Sequence, residues 1–310
     1  MALYRMPRCA ILLSTFNGAP YLPPFLESLL AQTERDWLLL WRDDGSSDRT
    51  VPLMTAWGAA HPTHFRAVAE PAGNQGVVSS FMALLRAAEN LGAATIAFAD
   101  QDDVWLPEKL ARALAALNET PLDKPALYCA RQRLVDDDLR QIGLSASLAG
   151  PAGFPACLTQ NIATGCTVAL NRPAIRLVAA SLPPREGWHD WWCYILVSAA
   201  GGAILRDEQP VILYRQHAAN VVGAPSSAPR RALAAMQRGP SAFMSVFRKN
   251  VAALQENAES FAPDVRAQLD TIARGLAGGA ILRLRALAIP GFLRNTFMQT
   301  VLFRLWFLIG

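Results

Sequence analysis

The sequence predicts an α/β protein: a mostly parallel sheet with helices on both faces, followed by a helical C-terminal extension. Three observations carry this. Apolar strand-like runs alternate with helical periodicities through the first hundred residues, the βαβαβαβ order of a parallel sheet covered on both sides. Apolar residues make up 52% of the 310-residue chain, ample for a packed core and too many for a disordered chain. Beyond position 230 the pattern is helical alone.

The elements follow in order. Residues 9–14 form an apolar first strand. A helix is expected over 21–31, with prolines at its start and Leu22, Phe25, Leu26, Leu29 and Leu30 on one face. Residues 37–42 are the second strand, 48–60 a helix and 65–70 the third strand. Residues 77–91 read as a helix with Phe81, Leu84, Leu85 and Ala88 inward, and the uncharged run 94–99 is a buried fourth strand. Past Pro107, where a further helix starts, the pattern loosens. Residues 126–135 read as a strand, and 161–170 as a buried strand or a turn entering a helix at Pro173. A helix follows over 188–200, then one or two short strands over 203–215 around Pro210. The stretch 223–229, rich in Gly, Ala, Pro and Ser, resembles a linker. The expected division is therefore a main domain over 1–223 and a helical extension over 224–310, without internal repeats.

Net charge is +4 but uneven. Residues 1–229 carry 18 Lys+Arg and 21 Asp+Glu, and residues 230–310 carry 11 and 4, so the tail is basic and the body slightly acidic. A basic tail points to an anionic surface, either lipid headgroups or nucleic acid. The five cysteines, Cys9, Cys129, Cys157, Cys166 and Cys193, are odd in number and show no C-x-x-C spacing. That argues against a disulfide framework or a zinc site and for reduced, buried thiols. The first residues lack the apolar stretch of a signal peptide, and no apolar run reaches the ~20 residues of a spanning helix, so a cytoplasmic location is expected. The aromatic-rich segment 290–310, with Arg294 and Arg304, fits either a helix lying in a membrane interface or a helix packed on the body.

The chemistry concentrates where strands end. Asp100-Gln101-Asp102-Asp103-Val104-Trp105 places three carboxylates after the fourth strand, at the sheet edge where α/β proteins bind ligands. Acids this close repel one another unless a cation or hydrogen-bond donors hold them, and a hard Mg²⁺ or Mn²⁺ suits carboxylate oxygens and shares its shell with phosphates. The plain alternative is a solvated turn with an N-cap for the next helix. The second strand ends in Arg42-Asp43-Asp44-Gly45-Ser46-Ser47-Asp48; a helix cap accounts for Asp48 or Ser47 but not for both Asp43 and Asp44. Ser14-Thr15-Phe16-Asn17-Gly18 ends the first strand, and Asn74-Gln75-Gly76 leads into the third helix, where Gly76 either relieves a turn or lines a loop beside a nucleotide. No G-x-G-x-x-G follows strand one, so a dinucleotide fold is excluded and a metal-bridged nucleoside diphosphate is the better expectation.

Together these motifs resemble the inverting family 2 glycosyltransferases of GT-A fold. The Trp-bearing acidic segment is similar to the bacterial rhamnosyltransferase-like branch that builds O-antigen and other surface polysaccharides. The likeness continues through Asn161-Ile162-Ala163-Thr164-Gly165-Cys166, His189-Asp190-Trp191-Trp192 and Tyr214-Arg215-Gln216-His217-Ala218-Ala219-Asn220, and covers roughly residues 8–223. It implies nucleotide-sugar contacts at Thr15, Asn17, Asp43, Asp44, Asn74, Gly76, Asp100 and Gln101. Asp102 would be the direct metal ligand of an Asp-x-Asp pair with Asp100, His217 would lie by the metal and diphosphate, and Asp103 is a further metal candidate. Asp190 falls at the catalytic base, with Trp188, Trp191, Trp192, Thr164, Gly165 and Arg215 shaping the acceptor pocket. Inverting transfer needs a single base, because a metal-stabilised diphosphate leaves without a second acid. Three neighbouring tryptophans would raise the pKa of Asp190 toward working pH, while a helix N-cap is its plain alternative. His189 is expected to pack rather than react, and Asp136-Asp137-Asp138 to be solvated.

The implied reaction moves a sugar, dTDP-L-rhamnose being the expected donor, to a glycan on a lipid carrier at the inner face of the cytoplasmic membrane. The basic tail would touch that membrane, and nucleic acid is not among the expected partners. A sugar nucleotidyltransferase is the enzymatic rival, but it needs a basic Gly-rich loop after strand one, and residues 14–20 carry no basic side chain. A non-catalytic nucleotide-sugar binding module is the rival of another class; it would not need Asp190 among tryptophans.

Overall fold

A computed structural model describes residues 7–69, 73–184, 186–217 and 228–310, with the side chains of 228–240 excepted. Strand β1 (Cys9–Thr15), helix α1 (Leu22–Leu30), β2 (Trp37–Asp43), α2 (Thr50–Ala60), β3 (Phe65–Ala67), α3 (Val77–Asn90) and β4 (Thr95–Ala99) reproduce the predicted alternation. The predicted end of the third strand, Glu70, lies outside the described residues. There follow β5 (Val104–Trp105), α4 (Lys109–Asn118), β6 (Ala126–Val135), β7 (Gln141–Leu144), β8 (Ala169–Asn171), α5 (Arg172–Ala179), α6 (His189–Ala199) and β9 (Ala203–Arg215). The C-terminal part is α7 (Ala228–Glu256), α8 (Pro263–Ala277), α9 (Ala280–Leu287) and α10 (Phe297–Ile309).

The sheet runs β3-β2-β1-β4-β8-β6-β9-β5, with β7 paired to β6. Strands β3, β2, β1 and β4 are parallel, and β6 and β9 are parallel, while β8, β5 and β7 join antiparallel. Register lines up the strand ends: Thr15 sits opposite Asp43 and Leu13 opposite Ala99, so the loops after β1, β2 and β4 emerge side by side. Pro210, which has no N–H to donate, falls at a register shift between β9 and β6, so the one-or-two-strand expectation resolves into one irregular strand.

Side chains alternate across the strands into two cores. Ala10, Leu12, Leu38, Leu40, Ile96 and Phe98 point to the face covered by α3, α5 and α6. Ile11, Leu13, Leu39, Trp41, Ala97 and Ala99 point to the face covered by α1 and α4, with Met54 of α2. Leu22, Phe25, Leu26 and Leu29 of α1 are buried as its periodicity predicts. All five cysteines are free and buried.

The first core continues into the C-terminal helices. Phe247, Phe292, Phe303 and Phe307 are buried together, the rings of Phe292 and Phe303 meeting edge-on at 5.0 Å. Thr159 Oγ1 donates to the Leu293 carbonyl at 2.8 Å, and the Asn295 N–H donates to Gln160 Oε1 at 3.3 Å, fastening the approach to α10 onto the body. The expected boundary at 223/224 and most of the expected linker lie outside the described residues. No described helix is long and apolar enough to cross a membrane.

Candidate active site

The acidic segment caps no helix. After Asp100-Gln101-Asp102-Asp103 the chain enters β5, whose Val104 and Trp105 pair antiparallel with Leu213 and Ile212 of β9. This pairing carries the end of β9 back over the acids. His217 Nε2 lies 2.8 Å from Asp102 Oδ2, and the imidazole stacks on Tyr21 at 4.9 Å and 11°. The backbone N–H of Arg215 donates to Asp103 Oδ1 at 3.2 Å, and its guanidinium donates to the carbonyls of Asp102 and Asp137.

Beneath this edge, ligand atoms of Asp100, Asp103 and Cys166 lie within 4.8 Å of one another. Asp103 is fully buried, and its Oδ2 accepts no hydrogen bond among the described residues. Burial, then the charges of Asp102 and Asp100, push the Asp103 carboxyl well above the usual carboxylate range. Burial chiefly, with Asp102 and Asp190 adding to it, pushes Asp100 up to about 7. Lys109 counters them from within: it donates to the Cys166 carbonyl at 2.6 Å, sits 3.4 Å above the Trp105 ring, and is pulled by burial down to about 8.

Asp100 and Asp103, the latter with an orphaned oxygen, thus lie by a lysine of weakened basicity, with Asp102 next to them in the chain. That donor set fits a hard divalent cation. Asp102 and His217 at the partly open edge, with Asp100 behind them, would hold Mg²⁺ or Mn²⁺. The Cys166 thiol, driven well above its ordinary pKa chiefly by burial, is a soft protonated group that does not suit such an ion.

Asp190 stands in the first turn of α6, near enough to Asp100 for its charge to act there. Trp188, not Asp190, is the N-cap residue of that helix, so capping does not account for this carboxylate. Its Oδ2 accepts the Gly165 N–H at 2.9 Å and its Oδ1 accepts the Trp191 N–H at 2.6 Å. Burial raises its pKa to about 6 despite those two donors. Gly165 opens the 3₁₀ turn Gly165–Thr167, for which Thr164 is the N-cap, and a Cβ there would lie 3.1 Å from His189 Nε2. His189 is buried, stacks on Phe81 at 4.0 Å, and is kept neutral by burial with a pKa near 3. It packs, as expected.

The loops after β1 and β2 interlock. Thr15 Oγ1 donates to Asp43 Oδ1 at 2.9 Å and accepts the Trp41 indole N–H. Asp43 also accepts the N–H groups of Gly45 and Ser46 and the Ser46 hydroxyl. Asn17, at a positive φ of 48°, takes the Ser47 N–H on its side-chain oxygen. Asn74 is exposed beside Gly45, and Gly76 holds φ 78°, a conformation that favours glycine.

Four expectations change. Asp44 does not face a ligand: it is 4% exposed, pairs with buried Arg42 at 2.6 Å, and accepts the N–H groups of Gln75 and Gly76. Gln101 spends both ends of its amide on the main chain of Phe16. Trp191 and Trp192 are core residues whose indole N–H groups donate to the Cys157 carbonyl and the Ser181 hydroxyl; their apolar bulk explains the burial of the helix, not a sugar platform. Arg215 is buried and ties β9 to the acidic loop instead of lining a pocket. Trp188 is half-buried. Residues 218–220, the end of the His217 motif, lie outside the described residues. In the acidic turn at 136–138, Asp137 and Asp138 are exposed, while Asp136 is half-buried and accepts the N–H groups of Asp138 and Arg140. Sequence reasoning missed Lys109, Tyr21 and Arg42. Arg42 alone left a signal, since a cation inside an apolar strand requires a buried acid as its partner.

Residues 10–145 match the family described as Glycosyl transferase family 2. Over 226 residues the chain is 24% identical to the dTDP-rhamnosyl transferase RfbG of Shigella flexneri, covering 68% of this chain and 74% of that one. It is 27% identical over 223 residues to an uncharacterized glycosyltransferase of Nostoc sp., covering 69% and 66%. Among solved structures, S. aureus TarS 1-349 in complex with UDP superposes with a TM-score of 0.58 at 15% identity over 88% of this chain and 73% of that one. The mannosyltransferase PcManGT of Pyrobaculum calidifontis, in complex with GDP-Man and Mn²⁺, gives 0.52 at 17% identity over 98% and 88%. The chain has the GT-A fold of these structures, and residues 10–145 are similar to the family 2 glycosyltransferases.

Proposed function

We propose that the protein is an inverting, metal-dependent glycosyltransferase. It transfers a sugar from a nucleoside diphosphate to a hydroxyl of a glycan on a lipid carrier, working at the inner face of the cytoplasmic membrane. The donor lies along the strand-end edge, its nucleoside by the Thr15–Asp43 corner, Asn17, Asn74 and Gly76, and its diphosphate by Asp102 and His217. Bound there, Mg²⁺ or Mn²⁺ supplies positive charge to the departing diphosphate. Asp190 accepts the proton of the acceptor hydroxyl as that oxygen bonds to the anomeric carbon and the bond from that carbon to the diphosphate breaks.

The observation that carries this reading is the placement of Asp190. It is close enough to Asp100 to raise that residue's pKa, is held by the Gly165 N–H, and is lifted to about 6, the range of a general base. The donor sugar we propose is L-rhamnose from dTDP-L-rhamnose, supported by the similarity to RfbG. A panel of nucleotide sugars incubated with the protein and Mn²⁺, read as released nucleoside diphosphate, tests this. Slow hydrolysis of dTDP-L-rhamnose above all others is expected. Release from a different donor alone would replace rhamnose, and release from none, with or without lipid-linked acceptor, would overturn the activity.

A further inference from the structure

The outward face of α10 is apolar from end to end. Thr300, Phe303, Trp306 and Phe307 form its buried side. Phe297, Met298, Val301, Leu305, Leu308 and Ile309 fall on the opposite side of a 3.6-residue projection. Phe297 is 82% exposed, Met298 72%, Leu305 52% and Ile309 73%. A surface helix ordinarily turns polar residues outward, so a helix apolar on both sides lacks a covering on one of them. The neighbouring α9 adds exposed Ile281, Leu282 and Leu284, and is tied to α10 where the Arg283 guanidinium donates to the Leu308 carbonyl at 2.6 Å.

Charge identifies the covering. Residues 271–310 contain five arginines and neither aspartate nor glutamate. Arg274, Arg285 and Arg304 are exposed. A second copy of the same face would bring two cationic surfaces together, which disfavours a self-complementary contact. An anionic bilayer satisfies both features, with apolar side chains entering the acyl boundary and guanidinium groups meeting headgroup phosphates.

We propose that the outer face of α10, with α9 beside it, seats the protein on an anionic lipid surface. This deepens the membrane part of the function proposed above and rests on it. The seat is joined to the catalytic side by a short path. Leu293 and Asn295, at the entrance to α10, hydrogen-bond Thr159 and Gln160, and the chain then runs five residues to Gly165, whose N–H holds Asp190. A glycan rooted in the bilayer would approach the Asp190 side.

The test is co-sedimentation of the full chain, without sugar donor, with phosphatidylglycerol-containing vesicles and with pure phosphatidylcholine vesicles. Binding to the anionic vesicles is expected, falling about tenfold or more in the double variant Phe297→Glu, Leu305→Glu and clearly weakened by Arg285→Glu, Arg304→Glu. Sedimentation velocity should give one unchanged mass for all forms. No binding of the unaltered chain to anionic vesicles would overturn the proposal, as would binding that the double variant retains. An unaltered dimer that the double variant dissociates, without lipid binding, would assign the face to a second copy. Because the assay contains no donor, its failure leaves glycosyl transfer standing, and failure of donor turnover with intact vesicle binding strikes only the reaction.

Discussion

The carboxylate of Asp190 accepts the backbone N–H of Gly165 at 2.9 Å, joining the first turn of α6 to the 3₁₀ turn Gly165–Thr167. Gly165 lies against His189, whose ring stacks on Phe81 and meets Phe98 edge-on in the core. The proposed base is therefore aimed by packing that begins on α3 and β4.

Gly165→Ala tests that aim. The added methyl would stand 3.1 Å from His189 Nε2 and 3.5 Å from Asp190 Cβ, and the stacked imidazole has little room to yield. A loss of about 1–3 kcal/mol in stability is expected, with a fall in kcat larger than any change in KM for the donor. Wild-type kcat in the variant would show that the Gly165 contact does not position the base.

The pH dependence has a definite sign. Asp190 must be ionised to accept a proton, and burial raises it to about 6, so kcat should fall about tenfold per pH unit below that value and level off above it. His189, near 3, does not titrate in this range. A kcat that stays flat from pH 7 to 5 would remove Asp190 from the proton transfer.

Asp44→Ala tests the architectural role assigned to that residue. Removal leaves the Arg42 guanidinium buried without its acid, and breaking a buried pair from one side costs about 3–5 kcal/mol. Urea unfolding should show that loss. A change under about 1 kcal/mol would return Asp44 to the ligand side.

Asp102→Ala should abolish the Mn²⁺-dependent rise in Tm that cation binding to the native state produces, and weaken donor binding with it. Thermal unfolding with and without Mn²⁺ measures this. An equal rise in both proteins would place the ion elsewhere.

The sheet was legible because β1, β2 and β4 are largely apolar runs with acid or small polar residues at one end. Register then puts those ends on one edge, and Thr15, Asp43, Asp100 and Asp102 gather there as a consequence of parallel pairing. β5 was not legible: two residues are too few to show a period, yet their pairing with β9 is what lays His217 on Asp102. Side-chain direction was the other gap. Asp43 and Asp44 are adjacent letters, and alternation along the chain sends one to the loop and the other inward to Arg42. Trp192 reads as a sugar platform or as core with equal ease until α6 is seen with its aromatic residues against β6 and the 3₁₀ turns Ala156–Leu158 and Gly165–Thr167. For 290–310 the sequence offered membrane or body; α10 packs one face on the body and leaves the other apolar and exposed.

The most direct test of the account is product formation by Asp190→Asn with the donor that the panel identifies and its acceptor. The side chain keeps its size and cannot take a proton, so the account predicts loss of turnover by a factor of about a hundred or more with donor affinity retained. Turnover equal to that of the unaltered protein would contradict it.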